Sequence, residues 1–207
     1  MSNLELALLV CGWMLAGGSP GPATLSIAGT AMGAGRRHAL ALAAGVATGS
    51  GIWGLIAAFG FGALMMREVW ILEIVRYVGA AYLMWLAYKA AKAALTQSRA
   101  KLPKAWAGSV RAAYFRGAMI HLTNPKAILA WGALFSLVVA PGTPWTEMAR
   151  VGLTCAVSGW AVFFLYAILF STRPAAEAYA RTRRGFDAVF AAFFGAASIG
   201  ILTARLH

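Results

Sequence analysis

The sequence predicts an all-α integral membrane protein: six transmembrane helices in two inverted three-helix repeats, with the first and fourth helices broken. Three observations carry this. Only 12% of the 207 residues are charged and 61% are hydrophobic, whereas a soluble domain carries about 25% charged residues. The charges are bunched, so that none falls between Glu5 and Arg36, Arg37 and Arg67, Lys126 and Glu147, or Arg150 and Arg173. Helix breakers stand inside two of the apolar runs, as Pro20-Gly21-Pro22 and Asn124-Pro125. A span needs about 20 apolar residues, and no soluble core of this size hides so many such runs.

Taken in order, the first span covers about 4–32. It begins without a basic segment and stays apolar too long for a cleaved signal, so it is read as retained. The second covers about 39–66 and the third about 69–88, with Glu73 and Arg76 inside the third. The fourth covers about 117–139, the fifth 151–171 and the sixth 186–204. The chain then reads as one membrane domain, 1–207, with a first repeat at 1–92, a linker at 93–112 and a second repeat at 113–207.

The connections fix an orientation. Those after spans one, three and five hold 13 of the 18 basic residues, among them Arg36, Arg37, Lys89, Lys92, Arg111, Arg173 and Arg184. The others hold Arg67 and Arg150, each beside a glutamate. Basic loops stay in the cytoplasm, so the linker is cytoplasmic and both termini face out. The net charge of +12 therefore reads as a membrane bias, not a nucleic-acid surface.

Three spans on each side of the linker is an odd number, so homologous halves would be inverted. Gly79-Ala80-Ala81 and Gly195-Ala196-Ala197 align in the third and sixth spans, each with an aromatic residue two positions earlier. The first and fourth spans share a break. Proline removes an N–H and clashes with the carbonyl four residues back. The freed carbonyls cannot face lipid, so they face protein or a watery cavity. Ser19 and Thr24 stand ready at Pro20, Gly21 and Pro22, as Thr123 and Asn124 do at Pro125. Breaks in corresponding positions point to a transporter site. The positive end of a half-helix suits a carboxylate and its carbonyl end an ammonium, and a zwitterionic amino acid offers both. The competing view is that both are packing kinks.

The stretches Ser19 to Gly54, Gly79 to Ala90 and Phe115 to Trp131 resemble the LysE/RhtB translocator family. The resemblance rests on Pro20, Gly21 and Pro22, then Gly35, Arg36 and Arg37, then Asn124, Pro125 and Lys126. It implies a bacterial inner-membrane exporter of amino acids or related metabolites, driven by the proton gradient, with no cofactor and no enzymatic step. Two positions depart from the family pattern. Ala23 stands where many members have Asn, and no Asp occurs near Ser50.

Lys126 lies ten residues past Arg116, about 15 Å of helix, which puts it near mid-membrane. A lysine there costs about 2.5–3.5 kcal/mol and defaults to a functional role with a named partner. It binds a substrate carboxylate, pairs with Glu73, or caps carbonyls freed by Pro125. Glu73 and Arg76 share a helix face, as a coupling pair or as an interfacial ion pair. Ala41, Gly45 and Gly49 form a small-residue stripe, as do Gly29 and Gly33. The stripes are read as packing within the chain, a homodimer face being their other use. Ser50, Thr48 and Trp53 are candidate cavity residues. His38, His121 and His207 form no ligand pattern for a metal. A divalent-cation exporter would want such ligands. A thiol conduit would need Cys11 and Cys155 to pair, yet neither has a cation beside it. A scaffold docking through the basic linker is the remaining alternative.

Overall fold

The computed structural model describes residues 1–65, 69–96, 108–138 and 143–203. All regular structure among them is helical: α1 (Asn3–Gly18), α2 (Pro22–Ala34), α3 (Arg36–Met65), α4 (Val69–Leu95), α5 (Val110–Leu122), α6 (Pro125–Val138), α7 (Trp145–Leu169) and α8 (Arg173–Thr203). The chain breaks at the two expected places. Between α1 and α2 the axis bends by 60°. Pro22 and Pro125 each open the helix that follows their break, the first-turn position where a missing N–H costs nothing.

Length and apolarity suffice for α3 and α7 each to cross a membrane, and for α1 with α2 as a bent pair. Four elements outrun the predicted spans, among them α7, which starts at Trp145 and not near 151. α8 starts at Arg173, not near 186, so Arg181 and Arg184 are helical residues, not loop residues. α4 continues through Lys89 and Lys92 to Leu95, and α5 starts at Val110. Lysine and arginine are good helix formers, and their long stems let the charge leave an apolar surface. A drop in hydropathy therefore ended the spans on paper but not the helices.

Small residues set the closest packing. A Cβ added to Gly45 would stand 1.9 Å from the Tyr114 carbonyl oxygen, and one at Gly117 2.1 Å from that of Leu42. α3 and α5 thus touch backbone to backbone, with His121 Cβ 3.0 Å from where a Gly49 Cβ would be. The Gly45–Gly49 stripe is used inside the chain. The other stripe stops short: Gly29 is buried, but Gly33 is exposed at the end of α2. α4 packs on α8, where Ser198 Oγ donates to the Ala80 carbonyl at 2.8 Å.

The outside is apolar. Leu4, Leu8, Leu55, Phe59, Leu153 and Val157 are all more than half exposed, while Ser19, Thr24, Ser50, His121, Asn124 and Asp187 are buried. That inversion suits a lipid surround. One end of the bundle joins Arg36 Nε to Ser171 Oγ at 3.0 Å and Arg184 Nε to the Ala94 carbonyl at 3.0 Å. The α2–α3 and α7–α8 connections therefore meet, and α8 reaches the end of α4. At the other end of α7, Arg150 holds Glu147 through two bonds of 2.9 and 2.8 Å and the Met1 carbonyl at 2.8 Å.

Candidate functional site

The first break leaves carbonyls without their usual partners, and each named here finds another. Pro20 has no N–H for Ala16, whose carbonyl instead accepts from Ser19 Oγ at 2.8 Å. Pro22 has none for Gly18, whose carbonyl accepts from Tyr166 Oη on α7 at 2.5 Å. The Ser19 carbonyl accepts from Thr24 Oγ1 at 3.1 Å and from Lys126 Nζ at 3.2 Å. Lys126 Nζ also donates to Ser19 Oγ. Thr24 Oγ1 further accepts from the Gly21 N–H at 3.0 Å, which caps the start of α2.

The second break is closed the same way. Asn124 Oδ1 accepts from the Lys126 N–H at 3.1 Å, as a helix cap does. That takes the donor that would have served Leu122, and the Leu122 carbonyl accepts from Trp53 Nε1 at 3.2 Å instead. The Asn124 N–H serves His121 at 3.1 Å. Thr123 is exposed, its hydroxyl turned to the Met119 carbonyl at 2.8 Å. A buried unpaired carbonyl costs about 1–3 kcal/mol, so these side chains are what make the breaks tolerable.

Lys126 joins the two breaks. It does not cap carbonyls freed by Pro125, as one sequence reading had it. It crosses to the carbonyl end of α1. The junction stands between two cavities that share Ser19, Gly21, Asn124 and Lys126. The larger, about 440 Å³, reaches Lys89 and Ala93 toward the basic end and is walled by Tyr82, Trp85, Phe190 and Phe194. The smaller, about 50 Å³, runs past Thr24, Ser50 and His121 to Trp13 and Trp131. Trp13 and Trp131 pack with ring centroids 4.5 Å apart, and Phe135 stacks on Trp131.

Of the sequence candidates, Ser19, Pro20, Gly21, Pro22, Thr24, Asn124, Pro125 and Lys126 come together around these cavities. Gly35, Arg36 and Arg37 do not. Gly35 links α2 to α3 with φ +84°, a backbone that glycine adopts freely, and Arg36 and Arg37 are exposed. Glu73 and Arg76 fall on α4, and their side chains lie outside the described residues. Ser50 lines the small cavity and accepts from Trp131 Nε1 at 3.1 Å. Thr48 points outward to Tyr114 Oη at 3.0 Å. Cys11 is an exposed free thiol and Cys155 a buried one. Among the described residues, no three His, Cys, Asp or Glu side chains gather where a metal could be held.

Sequence reasoning missed Asp187, His121 and Tyr166 as site residues. Asp187 is 4% exposed and lines the larger cavity. His121 is buried edge-on to Phe163, and its Nδ1 has no hydrogen-bond partner. Burial marks Asp187 and His121, and the bond to the Gly18 carbonyl marks Tyr166.

A family model for LysE type translocators matches residues 16–205. The chain belongs to that family. The match takes in both breaks, the Gly35-Arg36-Arg37 turn and Asp187, so this LysE type translocator carries its larger cavity wholly within the family's common region. The threonine efflux protein of Escherichia coli (strain K12) is 26% identical over 189 residues, covering 90% of this chain and 92% of the relative. The homoserine/homoserine lactone efflux protein of Salmonella typhimurium is 35% identical over 163 residues, 73% of each chain. No solved structure matches. The resemblance read from the Pro-Gly-Pro, Gly-Arg-Arg and Asn-Pro-Lys segments holds, and with it a multi-pass membrane protein.

Proposed function

We propose that this translocator exports amino acids across the bacterial inner membrane, with the substrate bound where the two broken helices meet. One observation carries the reading. Lys126 Nζ reaches the Ser19 carbonyl end of α1 beside a cavity of about 440 Å³, so a cation and half-helix ends converge on a space fit for a small zwitterion. The relatives named for threonine and homoserine efflux give the substrate class. The substrate carboxylate takes over the Lys126 ammonium from Ser19, which loosens the tie between the two breaks.

Six spans in two inverted halves fit the pairing of α3 with α7 and α4 with α8, the matching second and third helices of each half. Alternating access then rocks the halves about the breaks. The basic end is cytoplasmic by the positive-inside rule, so the large cavity loads from the cytoplasm and the Trp13–Trp131 pair closes the outer side. Proton coupling follows from family likeness.

The test is efflux from cells preloaded with L-threonine and L-homoserine, comparing native chain with Lys126→Met and Asn124→Ala at equal membrane levels. Faster efflux with the native chain and loss in both variants supports the site. Native efflux that both variants retain overturns it, and no native efflux of any amino acid overturns the substrate class.

A further inference from the structure

We propose that Asp187 is the residue that reads the substrate's α-ammonium, so that the large cavity grips a zwitterion at both ends; this rests on the exporter reading above. Asp187 is the one buried carboxylate among the described side chains. It stands mid-way along α8, three residues past Arg184. Asp187, Phe190 and Phe194 follow one another at helical spacing on one face of α8, and all three line the cavity that holds Lys126. Lys126 Nζ lies 5.8 Å from the centre of the Phe194 ring.

The cavity fits the ligand. Asp187 and Phe194 are seven residues apart, about 10 Å of helix, and both line the cavity of about 440 Å³ that also holds Lys126. That volume admits an α-amino acid with a charge-assisted contact of about 2.8 Å at each end. The aromatic walls of the cavity, Tyr82, Trp85, Phe190 and Phe194, lower the local dielectric and strengthen both contacts. Lys89 lines the same cavity but stacks on Trp85, its Nζ 4.4 Å from the ring centre. An acid in this place sets a preference for substrates bearing an ammonium.

The preference is the readout. Purified full-length chain in liposomes would exchange an amino acid it transports, L-threonine or L-homoserine first, against the analogue whose ammonium is replaced by a hydroxyl. The native chain should favour the amino acid by about tenfold or more, the scale of one charged hydrogen bond. Asp187→Asn should bring that ratio close to one, and Asp187→Glu should restore it. A structural loss would slow both solutes alike and leave the ratio. Native chain that moves both solutes equally overturns the assignment without any variant, as does Asp187→Asn that keeps the native ratio. If no amino acid moves at all, the exporter reading fails and this assignment falls with it.

Discussion

The ammonium of Lys126 and the carbonyl of Ser19 meet at 3.2 Å across 107 positions of sequence. This bond ties the end of α1 to the start of α6, so one side chain senses both breaks. Its energy is modest on balance. A lysine at mid-membrane costs about 2.5–3.5 kcal/mol, and a hydrogen bond to a charged group returns about 1.5–3 kcal/mol. The terms nearly cancel. Lys126→Met keeps the apolar stem, and Thr24 still serves the Ser19 carbonyl. Thermal unfolding in detergent should therefore shift by no more than about 1 kcal/mol while export is lost. A variant that unfolds would show the lysine to be structural.

Tyr166 carries a different share. Its hydroxyl donates to the Gly18 carbonyl that Pro22 leaves unserved. Tyr166→Phe should cost about 1–3 kcal/mol, the penalty for an orphaned carbonyl. Tyr114→Phe removes a hydroxyl bonded to Thr48 on the exposed face and should cost under about 1 kcal/mol. Paired melting curves check the order. Equal losses would mean that Gly18 finds another donor.

The approach of α3 to α5 leaves no room for a methyl group. Gly45→Ala and Gly117→Ala would each drive a carbon to within about 2 Å of a carbonyl oxygen. The helices must part, which typically costs about 1–3 kcal/mol and here would also shift His121 and the second break. Gly60→Ala, where nothing lies within 4 Å, should be neutral or slightly stabilising. Folded yield and melting temperature of the three variants would settle this. A tolerant Gly45→Ala would mean that the two helices stand further apart.

Much of this was legible in the sequence because it is local. Pro20, Pro22 and Pro125 break helices by their own geometry, and Ser19, Thr24 and Asn124 cap within five residues. The partners that complete the breaks were not legible. Tyr166, Trp53 and Lys126 act from other helices, and nothing in their spacing says which carbonyl they will meet. Asp187 hid for a related reason. The hydropathy drop before 186 puts Asp187 at the cytoplasmic start of the predicted sixth span, whereas α8 already runs from Arg173 and buries it beside the larger cavity.

Trp131 and Ser50 couple inside the small cavity. Trp131 Nε1 donates to Ser50 Oγ at 3.1 Å, and both residues are buried. Ser50→Ala leaves an indole N–H without a partner, at about 1–3 kcal/mol. Trp131→Phe removes the donor and also loosens the contacts to Trp13 and Phe135. With both changes made, no orphan remains, so the pair should cost less than the two single losses summed. A double-mutant cycle on unfolding should give a coupling of about 0.5–3 kcal/mol. Strict additivity would show that this bond does not hold the cavity's outer wall, and the closure assigned to Trp13 and Trp131 would then rest on ring packing alone.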